Sequence, residues 1–241
     1  MNMLLKYFLY VFISIVVIAC SESRREQRYD KAAEEIKSEQ GEDLVIDLQP
    51  GSGPDTGRAA HALKKFRQLY LDSAWMEAAL LADSASVNFF RKTIRLANKA
   101  DSINLSKEPV ATRFYTVYVR HQFEQKEMAV LTPQRLLAYI LEKGVIINRA
   151  IEDAGDGFDN PTTSDEERVC GYMAKTLNRF CLNKENGKWL INFPQFFDRQ
   201  IESMKYGAGY RKLHLNDHFK YVLEEITDYA KPKNPLWQIP R

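Results

Sequence analysis

The hydrophobic pattern divides the chain into an apolar start, a polar stretch and a body of amphipathic segments. An unbroken apolar run extends from Tyr7 to Ala19, and polar residues follow directly after Cys20. Charges of both signs crowd the first half of residues 21–57, and this segment ends in prolines and glycines. It buries too little apolar surface to fold alone, so we expect 20–57 to be a flexible tether. The apolar patch Leu44–Leu48 is an exception that can dock as an edge strand.

Apolar residues recur at helical spacing from residue 58 onward, which predicts several amphipathic helices. The predicted helices begin at Arg58 and continue through Trp75–Leu81, Ser86–Ala100, Thr132–Gly144 and Asp217–Tyr229. The fourth is the best bounded, because Thr132 is a favoured N-cap, Pro133 suits the first helical position and Gly144 suits the end. A proline-containing tail follows the last helix, and we expect Trp237 to pin that tail to the body.

Strand patterns lie between these helices. The run Val110–Val119 is dense in β-branched and aromatic residues, which predicts a strand. Two further apolar runs, Val169–Leu182 and Trp189–Phe193, flank Asn186 and Gly187, a pair that suits a hairpin turn. An acidic, glycine-rich loop is expected over 153–167. The sequence therefore predicts an α+β fold in which N-terminal helices pack on an antiparallel sheet and a C-terminal helix follows.

Composition narrows the classes of protein. The chain has 241 residues, of which 45% are hydrophobic, enough for one substantial core. Its formal charge is +2, and it falls to about +1 when the single charge of Lys6 leaves with residues 1–19. A near-neutral sum without a basic, aromatic-rich run argues against a nucleic-acid binder. No zinc, phosphate-loop or nucleophile-elbow motif occurs, so we expect no metal and no cofactor.

The first twenty residues resemble the signal peptide and lipobox of bacterial lipoproteins. Lys6 supplies the positive charge, the apolar core is too short to span a bilayer comfortably, and Val17-Ile18-Ala19-Cys20 matches the lipobox. The resemblance implies a signal peptide over 1–19, a lipid on Cys20 and a membrane-anchored envelope protein. Ser21 is not the aspartate associated with inner-membrane retention, so the resemblance favours the outer membrane. An uncleaved membrane anchor with an incidental cysteine is the alternative.

The order of predicted elements is similar to that of the NTF2-like (cystatin-like) fold, a cone in which a curved sheet wraps around a long helix. The segment 184–191, Lys-Glu-Asn-Gly-Lys-Trp-Leu-Ile, looks like the turn and tryptophan strand of lipoproteins in that superfamily. Phe66–Trp75, with Asp72 in a helical break, looks like their opening helix. The resemblance covers 58–195 and leaves 196–241 as a C-terminal helical extension and tail. The alternative is a generic exported α+β domain.

One group of residues is a candidate pocket. Tyr115, Tyr118, Arg120 and His121 fall on and just after the first predicted strand. In an NTF2-like cone alternate residues of this strand point inward, which implies a pocket for a small amphipathic or acidic ligand. His121 with a neighbouring carboxylate would then serve as a general base. The alternative is that these are ordinary strand residues with a solvated end.

Three other groups of residues could form a metal site or a disulfide, but their spacing supports this less well. His214 and His218 have the spacing of a helical metal site, but Asn216 or Asp217 is expected to cap the last helix, which leaves two surface histidines. An oxygen-rich group in the predicted loop lacks the EF-hand spacing of a calcium site; it comprises Asp153, Asp156, Asp159, Asn160 and Asp165. Cys170 and Cys181 can pair only if the chain folds back between them, and the sequence leaves this open.

Three functions remain. We favour a non-enzymatic, membrane-anchored lipoprotein whose domain binds an envelope protein, a glycan or a small ligand. A lyase or isomerase that uses the interior of the cone is the second hypothesis, and it requires His121 or an acidic residue buried beside a polar partner. A structural component of an envelope assembly is the third.

Overall fold

The folded body has an α+β architecture in which helices precede and follow a four-stranded antiparallel sheet. A computed structural model describes residues 56–145, 151, 158–165, 167–173 and 179–240, which belong to one compact unit. The α+β class predicted from the sequence is confirmed. The predicted signal peptide, nearly all of the predicted tether and the patch Leu44–Leu48 lie outside the described residues.

The described helices and strands follow one another along the chain in a simple order. The helices before the sheet are α1 (Thr56–Leu71), α2 (Trp75–Ala79), α3 (Ser84–Lys99), α4 (Ser102–Ser106), α5 (Val110–Gln122), α6 (Gln125–Val130) and α7 (Pro133–Glu142). The sheet consists of β1 (Phe158–Asp165), β2 (Arg168–Met173), β3 (Arg179–Glu185) and β4 (Lys188–Ile191). The helices α8 (Phe193–Tyr210) and α9 (Leu215–Ile226) follow it.

Helix α1 packs its apolar stripe on the sheet. Its buried residues are Ala59, Leu63, Phe66 and Tyr70. They recur every three to four positions, which gives an amphipathic helix one continuous apolar face. The ring of Phe66 lies 6.4 Å from that of Phe180 on β3 and 5.6 Å from that of Phe193, where α8 begins. The helix predicted from Arg58 is confirmed.

Helix α7 has the ends that the sequence predicts. Thr132 is the N-cap, and its side-chain oxygen accepts a hydrogen bond from the backbone N–H of Arg135 at 3.2 Å. Pro133 stands in the first turn, where its missing N–H is not needed. Gly144 has a φ of 61°, a conformation that disfavours most other residues and ends the helix.

The prediction of a strand over Val110–Val119 is wrong, because this segment forms helix α5. Most of the 13 residues of α5 are buried, so the helix is enclosed on nearly all sides. A continuous apolar run is shared by a buried strand and a buried helix, and periodicity does not separate them. The β-branched and aromatic residues here fill a core between helices, and this packing overrides their strand propensity. The order of elements that resembled the NTF2-like fold included this segment as its first strand, and that strand is absent here because the segment is a helix.

The sheet is a meander in the order β1-β2-β3-β4, with every neighbouring pair antiparallel. The expected acidic loop over 153–167 is wrong for 158–165, which forms β1 as an edge strand. The apolar run Val169–Leu182 is divided between β2 and β3. The hairpin between β3 and β4 is confirmed, and its Asn186 and Gly187 have φ values of 51° and 77°. Both residue types tolerate this conformation.

The C-terminal part folds back on the body. Helix α9 begins at Leu215 and ends at Ile226, so the helix predicted over 217–229 is shifted toward the N-terminus. The ring of Trp237 stacks on that of Phe219 at 6.4 Å, which confirms that the tail is pinned by its tryptophan. Within the described ranges, no helix is both long and apolar enough to cross a membrane.

Candidate functional site

Cys170 and Cys181 form a disulfide between neighbouring strands. The two residues are direct partners in the antiparallel ladder of β2 and β3, and their Cα atoms are 4.1 Å apart. Cys170 is 6% exposed and Cys181 is 1% exposed. The sequence showed that pairing requires the chain to fold back, and β2 and β3 are antiparallel neighbours. The register of this strand pair, which the sequence does not determine, puts the two cysteines opposite each other.

The four predicted pocket residues lie on helix α5, and all four are buried. The reason for expecting them to share a face, namely the alternation of a strand, is therefore wrong. The hydroxyl of Tyr115 donates a hydrogen bond to Oε1 of Gln200 on α8 at 2.8 Å. Burial raises the pKa values of Tyr115 and Tyr118, so both phenols are neutral hydrogen-bonding groups at ordinary pH. That the group lines a pocket stays a prediction.

Arg120 joins α5 to the end of α3 and to the C-terminal tail. Its side chain is fully buried and donates only to backbone carbonyls in the described contacts. The acceptors are Ala97 at 2.9 Å, Leu96 at 3.0 Å, Leu236 at 3.0 Å and Ala100. The last carbonyls of a helix lack partners within the helix and favour a positive charge. Burial lowers the pKa of Arg120 to about 10, so the guanidinium stays charged at neutral pH.

The segment 231–240, which we call the C-terminal strap, covers the end of α5. The backbone N–H of Lys233 donates to the carbonyl of His121 at 3.0 Å, and that of Asn234 donates to the carbonyl of Arg120 at 3.1 Å. The side-chain amide of Asn234 donates to the carbonyls of Arg120 at 3.2 Å and Phe123 at 2.5 Å. The strap therefore satisfies the backbone carbonyls at this helix end.

The side chain of His121 is buried, with 2% of its surface exposed. Its Nδ1 lies 2.7 Å from the amide nitrogen of Gln122, whose oxygen accepts a hydrogen bond from the hydroxyl of Tyr139 at 2.8 Å. Burial lowers the pKa of His121, while the nearby Ala230 carbonyl and the charge of Glu224 oppose this shift. The imidazole has a polar neighbour, but no carboxylate hydrogen bond to it is described.

The two C-terminal histidines occupy different environments. His214 is the N-cap of α9, and its Nδ1 accepts from the N–H of Asn216 at 3.3 Å, so the expected cap at Asn216 or Asp217 is wrong. His218 is 5% exposed, so the reading of two surface histidines is wrong for it. Burial, and then the charge of Arg211, lowers the pKa of His218. Within the described part of the chain, no group of three potential metal ligands is present.

The structure describes only part of the oxygen-rich group. Asp153 and Asp156 lie outside the described residues, whereas the backbone of Asp159, Asn160 and Asp165 belongs to strand β1. The calcium hypothesis, which the spacing already disfavoured, gains no support.

A buried polar cluster around Asp83 was missed by sequence reasoning. Asp83 is fully buried at the N-terminus of α3, where Oδ1 accepts from the N–H of Ser86 at 2.8 Å and from its hydroxyl at 2.5 Å. Oδ2 accepts from the side-chain amides of Asn183 at 2.8 Å and Asn192 at 2.6 Å. Asn192 is in turn the N-cap of α8. The carboxylate thus joins α3, β3 and the start of α8.

The cluster has a partial signal in the sequence. Asp83 precedes a helical pattern at the N-cap position, and Asn192 stands before Pro194 in the first turn of α8. Each N-cap can be predicted from its own segment of sequence. The hydrogen bond between the two caps, which are about a hundred residues apart in the chain, cannot. Since both oxygens of Asp83 already accept hydrogen bonds from the fold, the cluster is arranged for stability rather than for proton transfer.

Comparisons of this chain with protein-family models, curated proteins and solved structures find no match. The function is therefore inferred from the chain's own residues.

Proposed function

We propose that this chain is a lipid-anchored protein of the bacterial cell envelope, held by Cys20, whose α+β domain is a binding module rather than an enzyme. The lipobox and the abrupt change to polar sequence after it support the anchor. The single observation that carries the proposal is the disulfide between Cys170 and Cys181. Disulfides persist in exported proteins and are rare where thiols are kept reduced. The export signal and the paired cysteines are independent features that agree.

The buried ionisable groups support a binding role over catalysis. The guanidinium of Arg120 donates its hydrogen bonds to backbone carbonyls. Asp83 accepts hydrogen bonds from three side chains and one backbone N–H. His121 is almost fully buried, so its ring would first have to be exposed before a substrate could reach it. A general base must reach the proton that it removes, and these groups are turned toward the protein.

For the finer fold, we propose that α1 and the sheet correspond to the helix and sheet of an NTF2-like cone. The packing of Phe66 against Phe180 supports this, because it brings one face of the opening helix against the sheet. Phe193, the first residue of α8, packs on the same ring of Phe66. An experimentally determined structure tests the proposal, and a flat sheet that does not curve around α1 would refute it.

Metabolic labelling with a palmitate analogue tests the anchor. The expected result is label on the natural chain and none on a Cys20→Ala variant, with the natural chain recovered in the outer-membrane fraction. A Cys170→Ser, Cys181→Ser variant is the matched control, because it removes cysteines elsewhere in the chain and should keep the label. Equal labelling of the Cys20→Ala variant contradicts lipidation at that residue.

The oxidation state of Cys170 and Cys181 provides a second, independent test of export. Alkylation of the natural protein after rapid acid quenching should leave Cys170 and Cys181 unmodified unless a reductant is added first. Free thiols in protein taken from intact cells would contradict residence in an oxidising compartment.

A further inference from the structure

One exposed corner of the domain combines aromatic and basic side chains. It consists of the end of α8, the turn after it and the start of α9, and we call it the aromatic–basic corner: Lys205, Tyr206, Tyr210, Arg211, Lys212 and Leu213. Tyr206 is 77% exposed, Tyr210 is 81% exposed and Leu213 is 40% exposed. Large apolar and aromatic surface left to solvent is unfavourable unless something covers it, so a cluster of it marks a contact site.

The backbone of the corner is held in place by the packing of α8 on α9. Tyr206 and Tyr210 are four positions apart, so they lie on the same face of α8, whereas Met204 and Ala208 are buried on the other side. Gly207 allows close contact between the helices, because a Cβ there would lie 2.7 Å from Nε2 of His218 on α9. The close packing of α8 on α9 fixes the direction in which the two tyrosines point.

Basic side chains predominate at the corner. The segment 203–216 contains three basic residues and no acidic residue. Arg211 stacks over the ring of Tyr221 at 4.0 Å, which holds its charge at the turn. Lys205 has an exposed partner in Glu202 at 2.8 Å, and such surface pairs are weak and screened by salt. The corner therefore presents positive charge beside exposed phenol rings.

We propose that the aromatic–basic corner lies against the anionic headgroups of the membrane to which the chain is tethered. This inference rests on the proposed anchor at Cys20. Tyrosine is favoured at the level of the headgroups, because its ring is apolar and its hydroxyl is polar. Lys and Arg beside it are attracted to anionic lipid. The flexible tether that the sequence predicts over 20–57 would have an average span of roughly 30–35 Å, which would let the domain turn this corner to the surface.

Charge complementarity favours a lipid surface as the occupant. A membrane presents many negative charges over a broad area, which suits three cations spread along one convex corner rather than converging on a pocket. Anchoring also keeps that surface within reach at all times, so weak individual contacts are enough.

Hydroxyl-radical footprinting of tyrosines on the full lipidated chain tests the proposal. The chain is incorporated into vesicles of phosphatidylcholine alone or of phosphatidylcholine with phosphatidylglycerol. We expect modification of Tyr206 and Tyr210 to fall about threefold in the anionic vesicles, since both rings would spend most of their time in the headgroup region. Tyr172 and Tyr229 are 41% and 69% exposed elsewhere and serve as internal references that should not change.

Matched charge reversals complete the test. A Lys205→Glu, Lys212→Glu variant should lose the protection, whereas a Lys107→Glu, Lys188→Glu variant, altered at exposed lysines elsewhere, should keep it. Protection that is equal in both kinds of vesicle, or that survives the first variant, overturns the proposal and leaves the corner to a protein partner.

Flotation of the chain with neutral vesicles tests the lipid anchor separately from the corner. A chain that floats but shows no protection refutes the corner alone, and a chain that binds neither vesicle refutes both.

Discussion

Replacing Asp83 with alanine tests whether the buried cluster joins the helices to the sheet. The substitution removes the acceptor for the N–H of Ser86 and for the amides of Asn183 and Asn192. Hydrogen bonds to a charged group contribute about 1.5–3 kcal/mol each, and an N-cap contributes about 1 kcal/mol. Because neighbouring bonds are not additive, we expect a loss of about 3–5 kcal/mol in the free energy of unfolding.

Equilibrium unfolding in urea, followed by circular dichroism with the disulfide intact, measures this loss. Asp101→Ala is the matched control, because Asp101 is also a helix N-cap but accepts only one described hydrogen bond, from the N–H of Asn104 at 2.7 Å. Its loss should be about 1 kcal/mol, the ordinary value for a cap. If Asp83→Ala and Asp101→Ala destabilise the protein equally, Asp83 is a simple cap and the reasoning about a junction is refuted.

Two further predictions concern the disulfide and the buried histidine. The Cys170→Ala, Cys181→Ala variant should lose about 2–3 kcal/mol of stability, since the cross-link closes a short loop with a sequence separation of 11; an unchanged urea midpoint would contradict this. Burial lowers the pKa of His121 in the folded protein below that of the unfolded chain, so the unfolded state binds more protons below about pH 6.5. The stability contributed by the neutral ring is therefore complete above that pH and decreases as the pH falls below it. Comparing urea midpoints at pH 7.5 and 5.5 should show a smaller acid loss in His121→Gln than in the natural protein, with exposed His61→Gln as control; equal losses in all three proteins would refute the assignment.

The parts of the fold that depend on local signals are predictable from the sequence. Helix α7 follows from Thr132, Pro133 and Gly144, because capping and φ preferences act within a few residues. The turn at Asn186 and Gly187 follows for the same reason. In these cases the interactions that decide the structure lie within the segment itself.

Helix α5 shows where local reasoning fails. Its residues have the composition of a strand, but they are enclosed by α3, α9 and the C-terminal strap. Whether an apolar run becomes a buried helix or a buried strand depends on what surrounds it, and those neighbours come from distant parts of the chain. The candidate pocket was derived from the wrong element, so its four residues could be named but not placed.

The buried polar residues of the domain mostly hold elements of the fold together. Arg120 connects α5 to the last carbonyls of α3 and to the strap, and Asp83 connects α3 to the sheet and α8. His218 fills the space left by Gly207 between α8 and α9. Removing a buried polar group that makes such connections lowers the stability of the fold. Such a group is also unsuited to binding a ligand, because it would first have to give up its partners in the protein. Exposed rings and basic side chains coincide on the surface at the aromatic–basic corner. This is why we propose contact at a membrane surface rather than chemistry in the interior of the domain.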